Sequence, residues 1–140
     1  EALMGEQRRV EEDLVSYELQ DVQVETGSGR TAQATVRMMT QQGLVQDQTA
    51  TGNGPVDAVC KAIGQIIGVN PDLDEYSVSS ITGGLDAVGD VTVRLKYDGH
   101  LYTGRGVDTD ILVASAKAYT NAVNRLLALE EAGRPTLPGM

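Results

Sequence analysis

Apolar and polar residues alternate along three short stretches at the start of the chain, 14–26, 31–39 and 44–51. Val22, Val24 and Thr26 fall on one face of the first, and Ala34, Val36 and Met38 on one face of the second. A period of two belongs to half-buried strands, so the pattern predicts three of them. Gly27-Ser28-Gly29 and Gln42-Gly43 separate the stretches with residues that suit hairpin turns. The apolar spacing then changes to three and four at Val56, Val59, Cys60, Ile63, Ile66 and Ile67. That is the stripe of an amphipathic helix, with Pro55 suited to its first turn, Gly68 to its C-terminal stop and Pro71 beyond.

The same plan then recurs, with strands expected over 76–82, 91–97 and 101–107 and a helix from about 110 to 129. Asp98-Gly99 is the strongest hairpin signal in the chain. Leu112, Ala116, Tyr119, Val123 and Leu126 form the expected buried stripe of the last helix, with Lys117, Asn121 and Arg125 on its other faces. Gly43 recurs as Gly99, Thr26-Gly27 as Thr82-Gly83 and Lys61-Ala62 as Lys117-Ala118, an offset of 56 residues. A period of this length marks duplicated supersecondary units. Neither unit buries much apolar surface alone, so the two are expected to pack on each other. The predicted fold is α+β: two β-β-β-α repeats in two layers, related by an internal pseudo-twofold. Repeat one covers 14–69 and repeat two 70–132. The first residues, 1–13, read as the end of a linker helix from a longer protein, and 133–140 as a frayed tail. Numerous strand edges in such a plan favour dimerisation.

Composition narrows the range of functions. The chain has 140 residues, 41% of them hydrophobic, and neither Trp nor Phe, so its core is built from Val, Ile, Leu, Ala and Met. A formal charge of −9 argues against a phosphate-binding face and therefore against nucleic acid, and it disfavours an anionic membrane surface. A single cysteine, Cys60, lies among apolar helical positions and is expected in the core rather than as a nucleophile. With one cysteine and no apolar run of membrane-spanning length, the expected compartment is the cytoplasm.

Candidate chemistry concentrates at the two helix starts. In Thr51-Gly52-Asn53-Gly54-Pro55-Val56-Asp57 the glycines allow close backbone approach, and the free N–H groups of a first helical turn favour an anion such as a carboxylate. The segment lacks the Gly-Lys-Ser/Thr of a phosphate loop, and it also fits a turn that merely caps a helix. Its counterpart is Gly106-Val107-Asp108-Thr109-Asp110-Ile111, where Asp108 or Thr109 is expected to cap the last helix and Asp110 to interact with its dipole. A carboxylate-friendly helix end and a pair of carboxylates together suit a free α-amino acid. His100 is the only histidine, which excludes a multi-histidine metal site within one chain. No catalytic residues are assigned.

Three of these segments, Gly52-Asn53-Gly54-Pro55-Val56-Asp57-Ala58, Thr82-Gly83-Gly84-Leu85-Asp86-Ala87 with Val91-Thr92-Val93, and Gly106 to Ile111 running into Ala114-Ser115-Ala116-Lys117-Ala118-Tyr119, resemble the C-terminal regulatory domain of 2-isopropylmalate synthase. Asn121-Ala122-Val123-Asn124-Arg125-Leu126 continues the likeness. The resemblance implies a homodimer in which L-leucine binds at the domain interface and inhibits a distant catalytic TIM barrel. That barrel, with a divalent metal, condenses acetyl-CoA with 2-oxoisovalerate; this chain contains neither barrel nor cofactor. Carried over by position, the ligand's polar end would meet Asn53, Gly54, Pro55 and Val56 and the helix start at Thr109, Asp110 and Ile111. Its side chain would lie among Val56, Leu73, Tyr76, Ser80, Ala87, Gly89 and Ile111. Ser80 departs from the family's small apolar wall by adding a hydroxyl. Citramalate synthases have a related domain that answers to isoleucine, and a purely structural dimerisation module is the other alternative.

Overall fold

The computed structural model describes residues 17–82 and 87–131, the side chains of 81, 82, 87 and 131 apart. The sequence assignments on 1–16, 83–86 and 132–140, including the linker helix, the tail and most of the Thr82–Ala87 segment, lie outside the described residues. Strands β1 (Tyr17–Glu25), β2 (Ala32–Thr40) and β3 (Val45–Gly52) lead into helix α1 (Pro55–Ile67), and β4 (Asp72–Thr82), β5 (Ala87–Tyr97) and β6 (His100–Asp108) into helix α2 (Ile111–Glu131). Each set of strands is an antiparallel meander in sequential order, which is the predicted pair of β-β-β-α repeats.

Alternation places the apolar residues of each sheet on one face. In the first sheet Val22 stands opposite Val36, Val24 opposite Ala34, and Ala34 opposite Ala50. In the second, Tyr76 faces Val93 and Val78 faces Val91 across β4 and β5. Val36, Met38, Val91, Val93 and Leu95 are fully buried, and one continuous core joins them to Val59 and Ile63 of α1 and Val123 of α2. The repeats therefore share a core, as the small size of each unit requires.

Local rules account for the boundaries. Gly68 ends α1 in the left-handed conformation, φ 90°, and returns its N–H to Gly64 O at 2.7 Å. Asp98 and Gly99, with φ of 54° and 78°, close the β5–β6 hairpin in the two-residue form that their sequence predicts. Strand β4 starts at Asp72, four residues before the position read from the pattern, because the register shifts between Leu73 and Glu75 and breaks the period of two. Strand β5 likewise begins at Ala87 rather than Val91, since Gly89 and Asp90 carry no strand signal of their own.

Helix α2 lies on β5 and β6 and also reaches β1 of the other repeat. The stripe Ala116, Tyr119, Val123 and Leu126 is buried as expected, while Leu112 is only half-buried. A second buried row, Ala114, Ala118 and Ala122, is set against Gly104 and Gly106 of β6. A Cβ on Gly104 would lie 2.2 Å from Ala118 O, and one on Gly106 would lie 2.3 Å from Ala114 O. These glycines let the helix backbone rest directly on the strand.

Candidate functional site

The two helices differ in length by more than two turns, and that difference opens the site. Helix α2 extends far enough for Asn124 to bind β1 of the first repeat. Its Nδ2 donates to Tyr17 O at 2.9 Å, and its Oδ1 accepts from Tyr17 N at 3.2 Å. Helix α1 stops at Gly68, and no comparable contact holds β4 against it among the described residues. A cavity of about 380 Å³ lies between α1 and β4, lined by Val56, Asp57, Cys60 and Lys61 on one side and by Asn70, Pro71, Asp72, Leu73 and Tyr76 on the other, with Tyr119 of α2 also in its wall. Leu73 and Val78 on β4 are 45% and 47% exposed although their strand positions face inward.

The start of α1 presents backbone rather than a cap. Gly54 is the N-cap and offers no side-chain hydrogen bond, and Pro55 brings no N–H. The first-turn N–H groups of Val56 and Asp57 thus have no partner within the helix. Gly54 is extended, φ −162°, a conformation open to any residue, and a Cβ there would meet nothing within 4 Å. Asp57 folds back so that its Oδ2 accepts from Asn53 N at 2.9 Å, and it pairs with Lys61 at 3.2 Å. The Asn53 N–H first, and Lys61 next, hold the Asp57 carboxyl below its usual range.

At the start of α2 the capping residue is Asp110, not Asp108 or Thr109: its Oδ1 accepts from Leu112 N at 2.8 Å. Asp108 accepts from Asp110 N at 2.9 Å and pairs with Lys117 at 3.2 Å, and these two contacts, in that order, lower its pKa. Both carboxylates of the acidic pair are therefore already engaged by the helix they precede.

The predicted site residues fall into two groups. Val56, Leu73 and Tyr76 line the cavity, next to Asn53, Gly54 and Pro55 at the helix end from which Val56 enters its wall. Ser80, Gly89 and Ile111 cluster beyond it: Ser80 stands opposite Gly89 in the register, and Ile111 Cδ1 lies over Gly89. Thr109 and Asp110 are exposed at the start of α2, and Ala87 begins β5 with its side chain outside the described residues. The groups are joined by Ser115, whose Oγ donates to Ile111 O at 2.8 Å and lies 2.7 Å from Tyr76 Oη. With its one proton committed to Ile111, Ser115 accepts from Tyr76.

Cys60, Pro71 and Tyr119 are cavity residues that were not among the predicted site residues. Cys60 follows Val56 by four positions on α1, so helical spacing alone connects them. Tyr119 comes from the other repeat, and only the packing of α2 beside α1 brings it there. Burial pushes the Cys60 thiol up to about 12, which leaves it protonated and unreactive at neutral pH. A second hollow of about 420 Å³, lined by Lys61, Gly64, Gln65, Gly68, Val69 and Asn70, lies toward the C-terminal end of α1 and contains none of the predicted residues. Among the described residues no three of His, Cys, Asp and Glu converge as metal ligands, and no helix is long and apolar enough to cross a membrane.

The architecture is a pseudo-twofold pair of β-β-β-α units with a cavity at one internal seam. Residues 1–127 match the family described as the LeuA allosteric (dimerisation) domain, and the chain belongs to that family. It is 48% identical over 131 residues to 2-isopropylmalate synthase of Parasynechococcus marenigrum (strain WH8102), covering 94% of this chain and 24% of that protein. The protein of the same name from Synechococcus sp. (strain RCC307) is 49% identical over 112 residues, 80% of this chain and 21% of the relative. That of Prochlorococcus marinus (strain MIT 9211) is 45% identical over 131 residues, covering 94% and 24% of the two chains. The chain spans about a quarter of the length of these relatives.

Proposed function

We propose that this chain is the leucine-sensing part of a 2-isopropylmalate synthase, acting as a homodimer to convey feedback inhibition to a catalytic domain that lies outside it. The supporting observation is the cavity between α1 and β4, which joins Val56, Leu73 and Tyr76 to an uncapped helix start in a chain of the matched family. The branched side chain of leucine packs against those three residues, a burial that contributes about 2–3 kcal/mol. The ligand's carboxylate takes the free N–H groups at the start of α1, where the helix dipole favours it. Ile111, Ser80 and Gly89 border the same region through the Tyr76–Ser115 contact, and the exposed Leu73, Val78 and Ile111 supply apolar surface for the partner copy. In this reading the condensation of acetyl-CoA with 2-oxoisovalerate, and the divalent metal it uses, belong to the catalytic domain.

The test is calorimetric titration of the chain with L-leucine, L-isoleucine and L-valine. Saturable binding that ranks leucine first supports the proposal; preference for isoleucine moves the chain to the citramalate branch, and a tight dimer that binds none of the three is a dimerisation module. Replacing Gly54 with Asp gives an independent check. The new carboxylate has room and is itself a good N-cap, so α1 should be unharmed while leucine binding is lost by competition for the same N–H groups. A drop in melting temperature in place of lost binding would assign Gly54 to the fold.

A further inference from the structure

Tyr119 is 3% exposed, it lines the cavity between α1 and β4, and its hydroxyl has no hydrogen-bond partner among the described residues. A buried hydroxyl is ordinarily paired with a protein group or with water. The fully enclosed side-chain atom with no partner among the described residues is Thr120 Oγ1; the Tyr119 oxygen is not enclosed in that way, and its residue forms part of the cavity wall. Asp57 and Lys61 line the same cavity, paired with each other at 3.2 Å and half exposed. The cavity thus combines an apolar wall of Val56, Cys60, Pro71 and Leu73 with two carboxylates, Asp57 and Asp72, the Lys61 ammonium and the Tyr119 phenol.

We propose that the Tyr119 hydroxyl is a direct binding residue for the effector, accepting a hydrogen bond from the α-ammonium group of an amino acid whose carboxylate lies at the start of α1. Asp57 and Asp72 are the opposite charges that line the same cavity. A phenol suits the role because its oxygen keeps lone pairs for an N–H donor while the group stays neutral, and burial raises the Tyr119 pKa further from neutrality. The assignment also explains why a polar tyrosine stands in the stripe that α2 otherwise fills with Ala, Val and Leu. It rests on the leucine-sensing reading above, and it adds a contact from α2 to those that α1 and β4 supply.

The experiment compares L-leucine with 4-methylpentanoate, which is leucine without its amino group, on the wild-type chain and on Tyr119→Phe. The wild type should bind leucine more tightly than 4-methylpentanoate. In Tyr119→Phe leucine should weaken by about tenfold or more, the value of a hydrogen bond to a charged group, while 4-methylpentanoate holds its affinity. Equal weakening of both ligands, or of neither, overturns the assignment and leaves leucine sensing intact. If the wild type binds no branched amino acid, the functional reading falls and the assignment with it. Should Tyr119→Phe melt early, the 13Cζ resonance of Tyr119 in the wild type decides: a shift with leucine but not with 4-methylpentanoate supports the contact, and no shift with leucine overturns it.

Discussion

The two repeats use one plan to opposite ends. In repeat two, α2 sits directly on β6 because Gly104 and Gly106 leave room for its backbone, and it runs on for 21 residues until Asn124 grips β1. In repeat one, the positions equivalent to those glycines are Gln48 and Ala50, α1 is 13 residues long, and it ends at Gly68 before anything holds β4. One seam is therefore closed by a helix and a paired amide, and the other remains open as a cavity. Duplication supplies two similar surfaces, and the unequal helix lengths decide which one stays open.

The largest effect is expected at the closed contact. Gly104→Ala drives a methyl group into the backbone of α2 and should destabilise the fold by about 3 kcal/mol or more, read as a fall in the urea midpoint. A change within error would show that α2 is not seated on β6 as described. Asn124→Ala removes two hydrogen bonds to Tyr17 and should cost about 2 kcal/mol, with faster amide exchange at Tyr17. If exchange at Tyr17 stays slow, something other than the amide closes the β1 seam. On the open side, Tyr76→Phe gives up only the bond to Ser115, and a loss of about 1 kcal/mol in chemical denaturation is expected. A loss as large as that of Asn124→Ala would erase the distinction between the seams.

The smallest effect concerns the carboxylates at the helix starts. Asp57 and Asp108 both titrate below their ordinary value in the fold, so each contributes stability that is complete above the unfolded pKa of about 4 and is lost as the pH falls through the lower folded value. Asp108→Asn should flatten the acid limb of the stability profile more than Asp57→Asn, since its side chain is 29% exposed against 41% and its contacts are less screened. Thermal melts between pH 2 and 6, a range of about two units either side of 4, measure the difference, and the reverse order would count against it.

Periodicity made the repeat plan legible because every strand and both helices bury one face. Val36, Met38, Val59, Ile63 and Val123 were readable as core from spacing alone. The strand bulge before Glu75 hid the beginning of β4, and with it the placement of Leu73 on the inner face. The uncapped start of α1 was equally visible: a proline-led helix with glycine before it announces free N–H groups. Tyr119 was visible only as one more residue of a buried stripe, since its place in the cavity wall depends on α2 crossing to α1, a long-range contact that leaves no local spacing. Asp110 was misjudged for a simpler reason. Three adjacent residues could cap α2, and the choice turns on a single residue of helix boundary.

The empty space around Gly54 has a genetic meaning. A residue that satisfies ordinary backbone geometry and touches no neighbour can be exchanged without being noticed by the fold. If the effector reads that stretch of backbone, selection for growth in the presence of a toxic leucine analogue should recover substitutions there in proteins that remain folded and abundant, whereas changes at Gly104 should be absent from the survivors. Control of the pathway would then be a trait that a lineage can shed in one step while keeping the protein that carried it.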